Sequence, residues 1–431
     1  MFTLIFFIGL LIVLFLVGIP VCASIGLTCL AVLWLENDLM SIPITLLPLK
    51  MMHGVNNFPL LAVPFFILAA NVMNKGSVTP RIFGFANSLV GHLRGGLGHV
   101  NVLASMIFAG MSGSGLADTS GLGKVEIKAM KDDGYDSAFS AAVTASSAII
   151  GPIIPPSICM VVGAVVTNTS VGRMLVGGVI PGFLMGTGLM LVVSFLSLKR
   201  GYPRMERESL KGIWSKFIGT GPALFTPVIL VGGIISGMFT PTEAAAIACI
   251  YAMILALAFY RAFGFKRLFR IFINVGTATG ALLFVMSAAA ALGTLAARAQ
   301  VPQNLMNLVT SITTNPTLTM FIIVGVLILL GMIMEDLSLL VIMGPLLLPV
   351  VLKLGIDPVH FGVVMVLTLQ LAMITPPVGM GFYITCHLAE VDALTYSKEI
   401  IWFVMILIGV VTLMCLVPQV VTVLPNLVFG K

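Results

Sequence analysis

Charged residues are scarce in this chain. They make up 9% of its 431 residues, while hydrophobic residues make up 59% and the mean hydropathy is +1.15. Soluble globular proteins carry about 25% charged residues. A surface so poor in charge does not face water over most of its area, which argues against a soluble enzyme. The net charge of +6 is carried by loops and does not indicate nucleic-acid binding.

The sequence also has few residues that ligate metals or form disulfides. The six cysteines lie within apolar segments without a Cys-x-x-Cys pair, so we interpret them as small packing residues. The five histidines are scattered without metal-ligand spacing. No His-Glu-x-x-His motif and no nucleophile elbow between a strand and a helix is present. An intramembrane enzyme is therefore disfavoured. A channel is disfavoured for another reason, since the hairpins predicted below on both sides of the membrane suit alternating access.

The chain contains several long apolar segments. Examples are residues 4–33, 174–198, 244–259 and 400–423, each near or above the roughly 20 residues that cross a hydrocarbon core. We interpret the first run as a membrane span and not as a removed signal peptide, because it lacks a basic leading region and a cleavage site. The pattern predicts an all-α polytopic membrane protein.

The chain resembles itself at a fixed offset. Pro155-Pro156 recurs as Pro376-Pro377, and 376 − 155 = 221. At this offset residues 110–160 show ten identities, gathered on glycine, proline and aspartate. Those residue types fix backbone shape more than hydrophobicity. We therefore predict two repeats, residues 1–212 and 213–431.

Loop charge predicts the orientation of the repeats. Residues 36–50 carry Glu36, Asp38 and Lys50, a net −1, whereas the equivalent residues 257–271 carry one lysine and three arginines, a net +4. Basic loops face the cytoplasm, so equivalent loops of opposite charge should lie on opposite membrane faces. This predicts inverted-topology repeats, as in many secondary transporters.

Four irregular places interrupt the apolar segments and form two equivalent pairs. Residues 110–123 are rich in glycine and serine and follow a short apolar run, residues 100–109, which predicts a re-entrant hairpin. Their counterpart, residues 331–345, holds Glu335 and Asp336 within an apolar stretch. Ionisable residues at membrane depth are functional candidates, because burying them costs several kcal/mol.

The second pair predicts broken helices. Residues 151–157 and 372–379 each contain adjacent prolines in the middle of a long apolar segment. Two prolines remove two helix donors and free carbonyl oxygens one turn earlier. A broken helix offers these oxygens to a cation and a positive helix N-terminus to an anion. We expect hairpin tips and breaks to meet near the midplane.

These places supply the candidate site residues. The sodium-binding candidates are Ser112, Gly113, Ser114, Asp118, Pro155, Gly331, Glu335, Asp336, Thr375, Pro376 and Gly379. The substrate-binding candidates are Ser112, Ser114, Pro156, Ser157, Glu335, Asp336 and Pro377.

Several interpretations stay open at this point. Asp118 is either an ion ligand or a cap that braces the hairpin, and either Glu335 or Asp336 is the functional acid. Residues 124–133 alternate basic, acidic and apolar side chains, which predicts an amphipathic connector at the membrane interface. The glycine run and the prolines also have structural interpretations, as close packing and kinks.

Six stretches, in order along the chain, resemble the large membrane subunit of tripartite ATP-independent periplasmic (TRAP) transporters, of the DctM/SiaM type. They are 57–66 (Asn-Phe-Pro-Leu-Leu-Ala-Val-Pro-Phe-Phe), 110–118 (Gly-Met-Ser-Gly-Ser-Gly-Leu-Ala-Asp), 151–157 (Gly-Pro-Ile-Ile-Pro-Pro-Ser), 239–246 (Phe-Thr-Pro-Thr-Glu-Ala-Ala-Ala), 331–335 (Gly-Met-Ile-Met-Glu) and 375–379 (Thr-Pro-Pro-Val-Gly). Residues 331–336 and 356–361 are most similar to the sialic-acid branch.

The resemblance implies an elevator-type carrier in the bacterial inner membrane that takes up an organic acid with Na⁺ as coupling ion and no organic cofactor. Sialic acid is the favoured substrate and C4-dicarboxylates come next. It also implies two partners, a small four-helix membrane subunit, expected as a separate chain, and a periplasmic substrate-binding protein. The alternative is a stand-alone Na⁺-coupled dicarboxylate or citrate symporter, which needs no partner.

Overall fold

The computed structural model of the chain describes residues 2–35, 45–76, 78–376 and 379–430. Every regular element in these ranges is a helix. Helices satisfy their backbone polar groups within the segment, as a lipid environment requires. The predicted all-α class is confirmed for this part of the chain.

The helices follow one another with short connections. In chain order they are α1 Phe2–Leu16, α2 Val21–Leu35, α3 Leu46–Val55, α4 Ala62–Lys75, α5 Val78–Val90, α6 Gly96–Ser112, α7 Gly115–Asp132, α8 Ser137–Ala148, α9 Ile158–Val166, α10 Val171–Gly177, α11 Val179–Arg200, α12 Leu210–Ile235, α13 Pro241–Ile254, α14 Phe265–Arg298, α15 Val301–Ile312, α16 Pro316–Gly331, α17 Asp336–Lys353, α18 Pro358–Ile374, α19 Met380–Ala389, α20 Ala393–Leu416 and α21 Gln419–Phe429. A 3₁₀ turn, Phe58–Leu61, precedes α4, and a π-helical segment, Leu255–Phe259, continues α13.

Several helical segments are long and apolar enough to cross a membrane. Among the described residues there are seven, or eight if α15 and α16, which bend by 119° at their junction, count as one span. The seven are Phe58–Lys75, Val171–Arg200, Leu210–Ile235, Pro241–Phe259, Phe265–Arg298, Asp336–Lys353 and Ala393–Leu416. The chain is thus a multi-pass membrane protein.

Helix boundaries repeat at the offset found in the sequence. Helix α7 begins at Gly115 and α17 at Asp336, and 336 − 115 = 221. Helix α8 begins at Ser137 and α18 at Pro358, again 221 apart. The inverted orientation, the division at residues 212 and 213 and the elevator movement stay predictions. Glu36 and Asp38, on which the loop-charge argument depends, lie outside the described residues.

The predicted interruptions are breaks between helices. Helix α6 ends at Ser112 and α7 begins at Gly115, and α8 and α9 are separated by residues 149–157. Helix α6 extends the apolar run of residues 100–109 in both directions, because Gly96–His99 is also helical and buried. In the second half α18 ends at Ile374 and α19 begins at Met380.

The hairpins and broken helices of both halves pack into one core. Helix α9 of the first half contacts α17 and α18 of the second, and α19 contacts α7 and α8. The long helix α14 runs outside this core and contacts α3, α4 and α17. This packing brings the interruptions of both halves together.

Candidate functional site

A cavity of about 310 Å³ lies between the two hairpin tips. The first tip is where α6 meets α7, and the second is where α16 meets α17. Ser112 and Ser114 line it from the first tip, and Glu335 and Ser338 line it from the second. The remaining wall comes mainly from α4, α14 and the start of α9, through Ile67, Ala70, Asn71, Ala117, Ile158, Ala278, Ala281, Leu282, Val285 and Leu337. The structure therefore brings five polar side chains from distant parts of the chain, those of Asn71, Ser112, Ser114, Glu335 and Ser338, to one cavity.

Three helices begin at this cavity. Ser114 is the N-cap of α7 and its hydroxyl accepts a hydrogen bond from the Ala117 N–H at 3.5 Å. Glu335 is the N-cap of α17, and Ile158 is the first residue of α9. Helix N-termini carry partial positive charge and unpaired N–H groups, so together they favour an anion. The cavity thus suits a carboxylate without a basic side chain.

The side chains around the cavity carry negative charge only. Among its lining residues in the described part of the chain there is no lysine, arginine or histidine. The Glu335 carboxylate accepts a hydrogen bond from the Ser338 hydroxyl at 2.5 Å. An organic anion would be repelled by Glu335 unless a cation were bound nearby.

The first hairpin tip contacts the break of its own half. Gly113 has a φ of +66°, and a Cβ there would lie 2.6 Å from the carbonyl oxygen of Pro156. The Ile158 N–H also donates to the Gly113 carbonyl at 3.4 Å. The Ser157 hydroxyl accepts from the Met160 N–H at 3.0 Å and so caps α9. The peptide bond between Pro155 and Pro156 is cis.

Asp118 is buried beside this break. Its side chain is 2% exposed, and neither carboxylate oxygen has a partner with good hydrogen-bond geometry in the described part of the chain, although the Ser112 hydroxyl lies close enough to interact with it. A Cβ at Gly151 would lie 2.3 Å from Asp118 Oδ2, so the carboxylate packs directly against the broken backbone. Because Ser114 and not Asp118 caps α7, the structure does not support the cap interpretation.

Asp336 lies in a different environment from its neighbour Glu335. Its carboxylate accepts a hydrogen bond from the Gln370 amide, and the Cys159 thiol lies 3.7 Å from Asp336 Oδ2. Cys159 belongs to the first half, so this contact joins the two halves. Cys159 is buried as the packing interpretation expects and in addition contacts this carboxylate.

Several buried oxygen atoms meet between Asp118 and Asp336. A Cβ at Gly115 would lie 3.3 Å from both the Ala148 carbonyl oxygen and Gln370 Oε1. Gln370 Oε1 is buried without a partner. Carboxylate, amide and carbonyl oxygens are the ligands of hard cations, and an unpaired buried carboxylate is costly. The residues present therefore fit a Na⁺ ion near Asp118.

The second break is arranged differently. Of the candidates Gly331, Thr375, Pro376 and Gly379, none lines the cavity between the tips. The Thr375 hydroxyl donates to the Leu371 carbonyl at 2.8 Å within its own helix. A Cβ at Gly331 would approach that of Ala372 to 2.7 Å, which indicates close packing of α16 on α18. Pro377 lies outside the described residues.

The sequence interpretation missed Glu126. It lies within α7, is fully buried and has no hydrogen-bond partner at either oxygen in the described part of the chain. The predicted interfacial connector at residues 124–133 is wrong at this residue. Asp118, Leu122 and Glu126 are spaced by four residues and share one helix face, and this spacing could have revealed it.

A buried polar network lies between α6 and α8, near these acids. The Asn101 amide donates to the Thr144 hydroxyl and accepts from the Ser147 hydroxyl, both at 2.7 Å. The Ser105 hydroxyl donates to Ser147 at 3.0 Å. These bonds fix the first hairpin against the helix that leads into the break.

A larger cavity of about 730 Å³ lies elsewhere, beside the far end of the second hairpin. Its lining includes Thr294, Arg298 and Gln303, and no candidate site residue of the described chain. We place the functional site at the smaller cavity because the helix N-termini and the tip hydroxyls converge there.

Comparison with known proteins identifies close relatives. A family model described as "Tripartite ATP-independent periplasmic transporter, DctM component" matches residues 8–420. The chain is 40% identical to the sialic acid TRAP transporter large permease protein SiaM of Vibrio cholerae, over 96% of both chains. It is 34% identical to the C4-dicarboxylate TRAP transporter large permease protein DctM of Rhodobacter capsulatus, over 97% of this chain and 98% of that one.

Two solved structures have a similar fold. The YdaH transporter of Alcanivorax borkumensis matches with a TM-score of 0.61 at 14% identity, over 89% of both chains. The MtrF protein of Neisseria gonorrhoeae matches with a TM-score of 0.59 at 10% identity, over 89% of this chain and 86% of that one. At these identities the likeness concerns the fold alone.

Proposed function

Because this chain belongs to the DctM family of large TRAP transporter permeases, we propose that it imports an organic acid together with Na⁺. As a member of that family it is a transporter of the inner membrane and not an enzyme. The interpretation as a stand-alone symporter loses its support, because the matched family is tripartite.

The observation that carries the proposal is the cavity at which three helices begin. Ser114, Glu335 and Ile158 place these N-termini around one space of about 310 Å³. N–H groups and helix dipoles bind anions in this arrangement. The Ser114 hydroxyl accepts from the Ala117 N–H and can still donate its own O–H to the acid. We assign this cavity to the carboxylate of the transported acid.

Sodium coupling follows from the charges around the cavity. Glu335 lines the cavity, Asp118 is buried near the first tip, and the lining offers no basic side chain in the described residues. When these carboxylates are ionised, a bound Na⁺ would offset one of the negative charges that they and the transported acid bring together. Asp118, the Gln370 amide oxygen and the Ala148 carbonyl would hold Na⁺ when it is present. The ion supplies positive charge, and the helices orient the acid.

The wall opposite the hairpins supports an elevator movement. Helices α4 and α14 present small side chains there, including Ala70, Ala278 and Ala281. Small residues allow helices to approach and slide with little steric change. We propose that the hairpins and broken helices move as one body along this wall and carry the cavity across the membrane.

Sialic acid is the favoured substrate and C4-dicarboxylates come next. The support is the higher identity to the Vibrio cholerae sialic acid permease, 40%, than to the Rhodobacter capsulatus dicarboxylate permease, 34%. The proposed partners are a small four-helix membrane subunit and a periplasmic substrate-binding protein. Thermal-shift screening of that binding protein with N-acetylneuraminate and succinate tests the choice of acid.

The test of the function is uptake into proteoliposomes that hold both membrane subunits. Binding protein loaded with radiolabelled N-acetylneuraminate is added outside, with or without an inward Na⁺ gradient. We expect uptake to require the gradient, the binding protein and the small subunit. Uptake that continued unchanged without Na⁺ would contradict the coupling, and uptake without the binding protein would contradict the tripartite assembly.

A further inference from the structure

A third cavity, of about 510 Å³, is lined by Lys75, Lys266, Arg267 and Arg270. Lys75 ends α4 and is half-buried, and the other three are exposed on the first turns of α14. None of the ion pairs among the described residues includes any of these four side chains. Four positive charges thus surround one concave space without a carboxylate to balance them. We call it the basic vestibule.

The basic vestibule is lined by the same two helices as the cavity of about 310 Å³ between the hairpin tips, which we call the central cavity. On α4, Asn71 lines the central cavity and Lys75 lines the vestibule, a separation of ~6 Å along the helix. On α14, Ala278 lines the central cavity and Arg270 lines the vestibule, ~12 Å apart. The two spaces therefore follow one another along the same two helices. The basic segment places the vestibule on the cytoplasmic side.

We propose that the basic vestibule is a second binding site for the transported organic acid, occupied between the central cavity and the cytoplasm. This inference rests on the function proposed above. The central cavity offers the acid helix N-termini and no basic side chain in the described residues, whereas the vestibule offers lysine and arginine, which bind carboxylates through charge-assisted hydrogen bonds. The transported acid therefore meets positively charged side chains when it leaves the central cavity for the cytoplasm.

The sign of the charge also separates the acid from its coupling ion. A cleft lined by one sign of charge raises the local concentration of oppositely charged solutes and lowers that of like-charged ones. The vestibule therefore attracts the carboxylate and repels Na⁺. Its side chains should affect the internal affinity for the acid and leave the affinity for Na⁺ unchanged.

Anionic lipid headgroups are the other source of negative charge at this membrane face. The acid is favoured for two reasons. The four cations line a concave space and not a flat surface, and that space follows the cavity between the hairpin tips along α4 and α14. Vesicles with and without anionic lipid distinguish the two occupants.

The experiment measures efflux from proteoliposomes that hold both membrane subunits. Vesicles are preloaded with radiolabelled N-acetylneuraminate, and excess ligand-free binding protein outside accepts the released acid. Only molecules with their periplasmic face outward contribute, because the binding protein cannot cross the membrane. The initial rate against internal acid gives the half-saturating internal concentration for wild type and for the double variant K75Q/R270Q.

The matched control is R204Q/R207Q, which removes two exposed cations from the segment before α12, outside the vestibule. We expect K75Q/R270Q to raise the half-saturating internal acid concentration roughly threefold to tenfold at low ionic strength. High salt should shrink the difference. The control variant and the half-saturating Na⁺ concentration should stay near wild type.

The same measurements are made in vesicles of phosphatidylcholine alone and with added phosphatidylglycerol. An effect of K75Q/R270Q in both lipids supports the proposal. An effect only with phosphatidylglycerol assigns the vestibule to lipid and overturns it, as does an effect equal to that of R204Q/R207Q. If wild type shows no Na⁺-driven uptake, the proposed function fails. Wild-type uptake with an unshifted double variant rejects the vestibule alone.

Discussion

The two hairpins hold their carboxylates in different ways, although their second helices begin 221 residues apart in sequence. In the first hairpin Asp118 lies one turn into α7 and has no partner with good hydrogen-bond geometry among the described residues. In the second, Glu335 and Asp336 lie at the start of α17 and accept from Ser338 and Gln370. Asp118, like Glu126 further along the same helix, lacks a donor with good hydrogen-bond geometry among the described residues, whereas Glu335 and Asp336 each have one.

This difference indicates that the two halves have separate tasks. A buried carboxylate without a donor is stable in its ionised form only beside a cation, and otherwise it takes up a proton. The acids of the second hairpin already have donors, so they position the tip and shape the cavity. At the repeat offset, Leu339 takes the place of Asp118 and Gly115 that of Asp336. We therefore expect Na⁺ to depend more strongly on the first hairpin.

The substitution D118N should give the largest effect. Removing one partner of a buried ion pair costs about 3–5 kcal/mol, so the apparent Na⁺ affinity should fall by roughly 100-fold or more. In Na⁺-free buffer the variant should unfold at the wild-type temperature or above, because the costly buried charge is gone. Na⁺ should raise the Tm of wild type but not that of D118N.

The control for this substitution is D132N, which neutralises an exposed aspartate at the end of the same helix. It should keep both the Na⁺-dependent uptake and the Na⁺-induced rise in Tm. If D336N reduced the apparent Na⁺ affinity more than D118N did, the assignment of sodium to the first hairpin would be wrong.

Gly113 at the first tip offers a second test of the difference between the hairpins, because the equivalent residue of the second tip is Met334. Ala at Gly113 meets a left-handed φ and the Pro156 carbonyl, whereas Ala at Gly134 meets a left-handed φ and open space. Both should lose about 1–2 kcal/mol from backbone strain. G113A should lose about 1–3 kcal/mol more from overpacking.

Thermal unfolding of the detergent-solubilised complex measures this difference. G134A serves as the matched control, since it carries the same backbone strain without the contact. Equal losses in the two variants would show that the first tip does not depend on its contact with the break.

The interruptions of the helices could be predicted from the sequence because they are local. Adjacent prolines break a helix and glycine weakens one, and both the first hairpin tip and the first break are found where the residues indicated. Helix boundaries repeat at the offset of 221 for the same reason. The orientation of the repeats is not local and stays a prediction.

The partners of the acids could not be predicted, because they come from distant parts of the chain. Asp336 meets Gln370 from 34 residues away and Cys159 from 177 residues away. No local pattern encodes such contacts. Glu126 is a different case, since its helical spacing from Asp118 was visible, but the charged residues around it indicated an interface.

Substitution of Gln370 tests whether Asp336 of the second hairpin depends on its hydrogen-bond donor. Q370L removes the amide that donates to Asp336 and leaves that carboxylate without its amide donor. A hydrogen bond to a charged group contributes about 1.5–3 kcal/mol, so the Tm measured in Na⁺-free buffer should fall. The Na⁺-free condition separates this loss from the loss of the Gln370 oxygen that is proposed to hold Na⁺. Q419L, at an exposed glutamine at the start of α21, should leave the Tm unchanged. A stable Q370L would mean that Asp336 does not need its donor.

The smallest effect is expected at Ser338. S338A removes the hydroxyl that donates to Glu335 at 2.5 Å. Because Glu335 lines the open cavity, water replaces part of that bond, and the loss should be about 0.5–1.5 kcal/mol. Uptake of the acid should fall roughly twofold to tenfold, while the Na⁺-induced rise in Tm stays as in wild type.

The matched control is S120A, which removes an exposed hydroxyl that donates to the Ala117 carbonyl within the first hairpin. It should leave uptake and Na⁺ response unchanged. A loss of the Na⁺-induced rise in Tm in S338A would instead place a sodium ligand beside Glu335. The two hairpins would then share the coupling ion, and the separation of their tasks would be wrong.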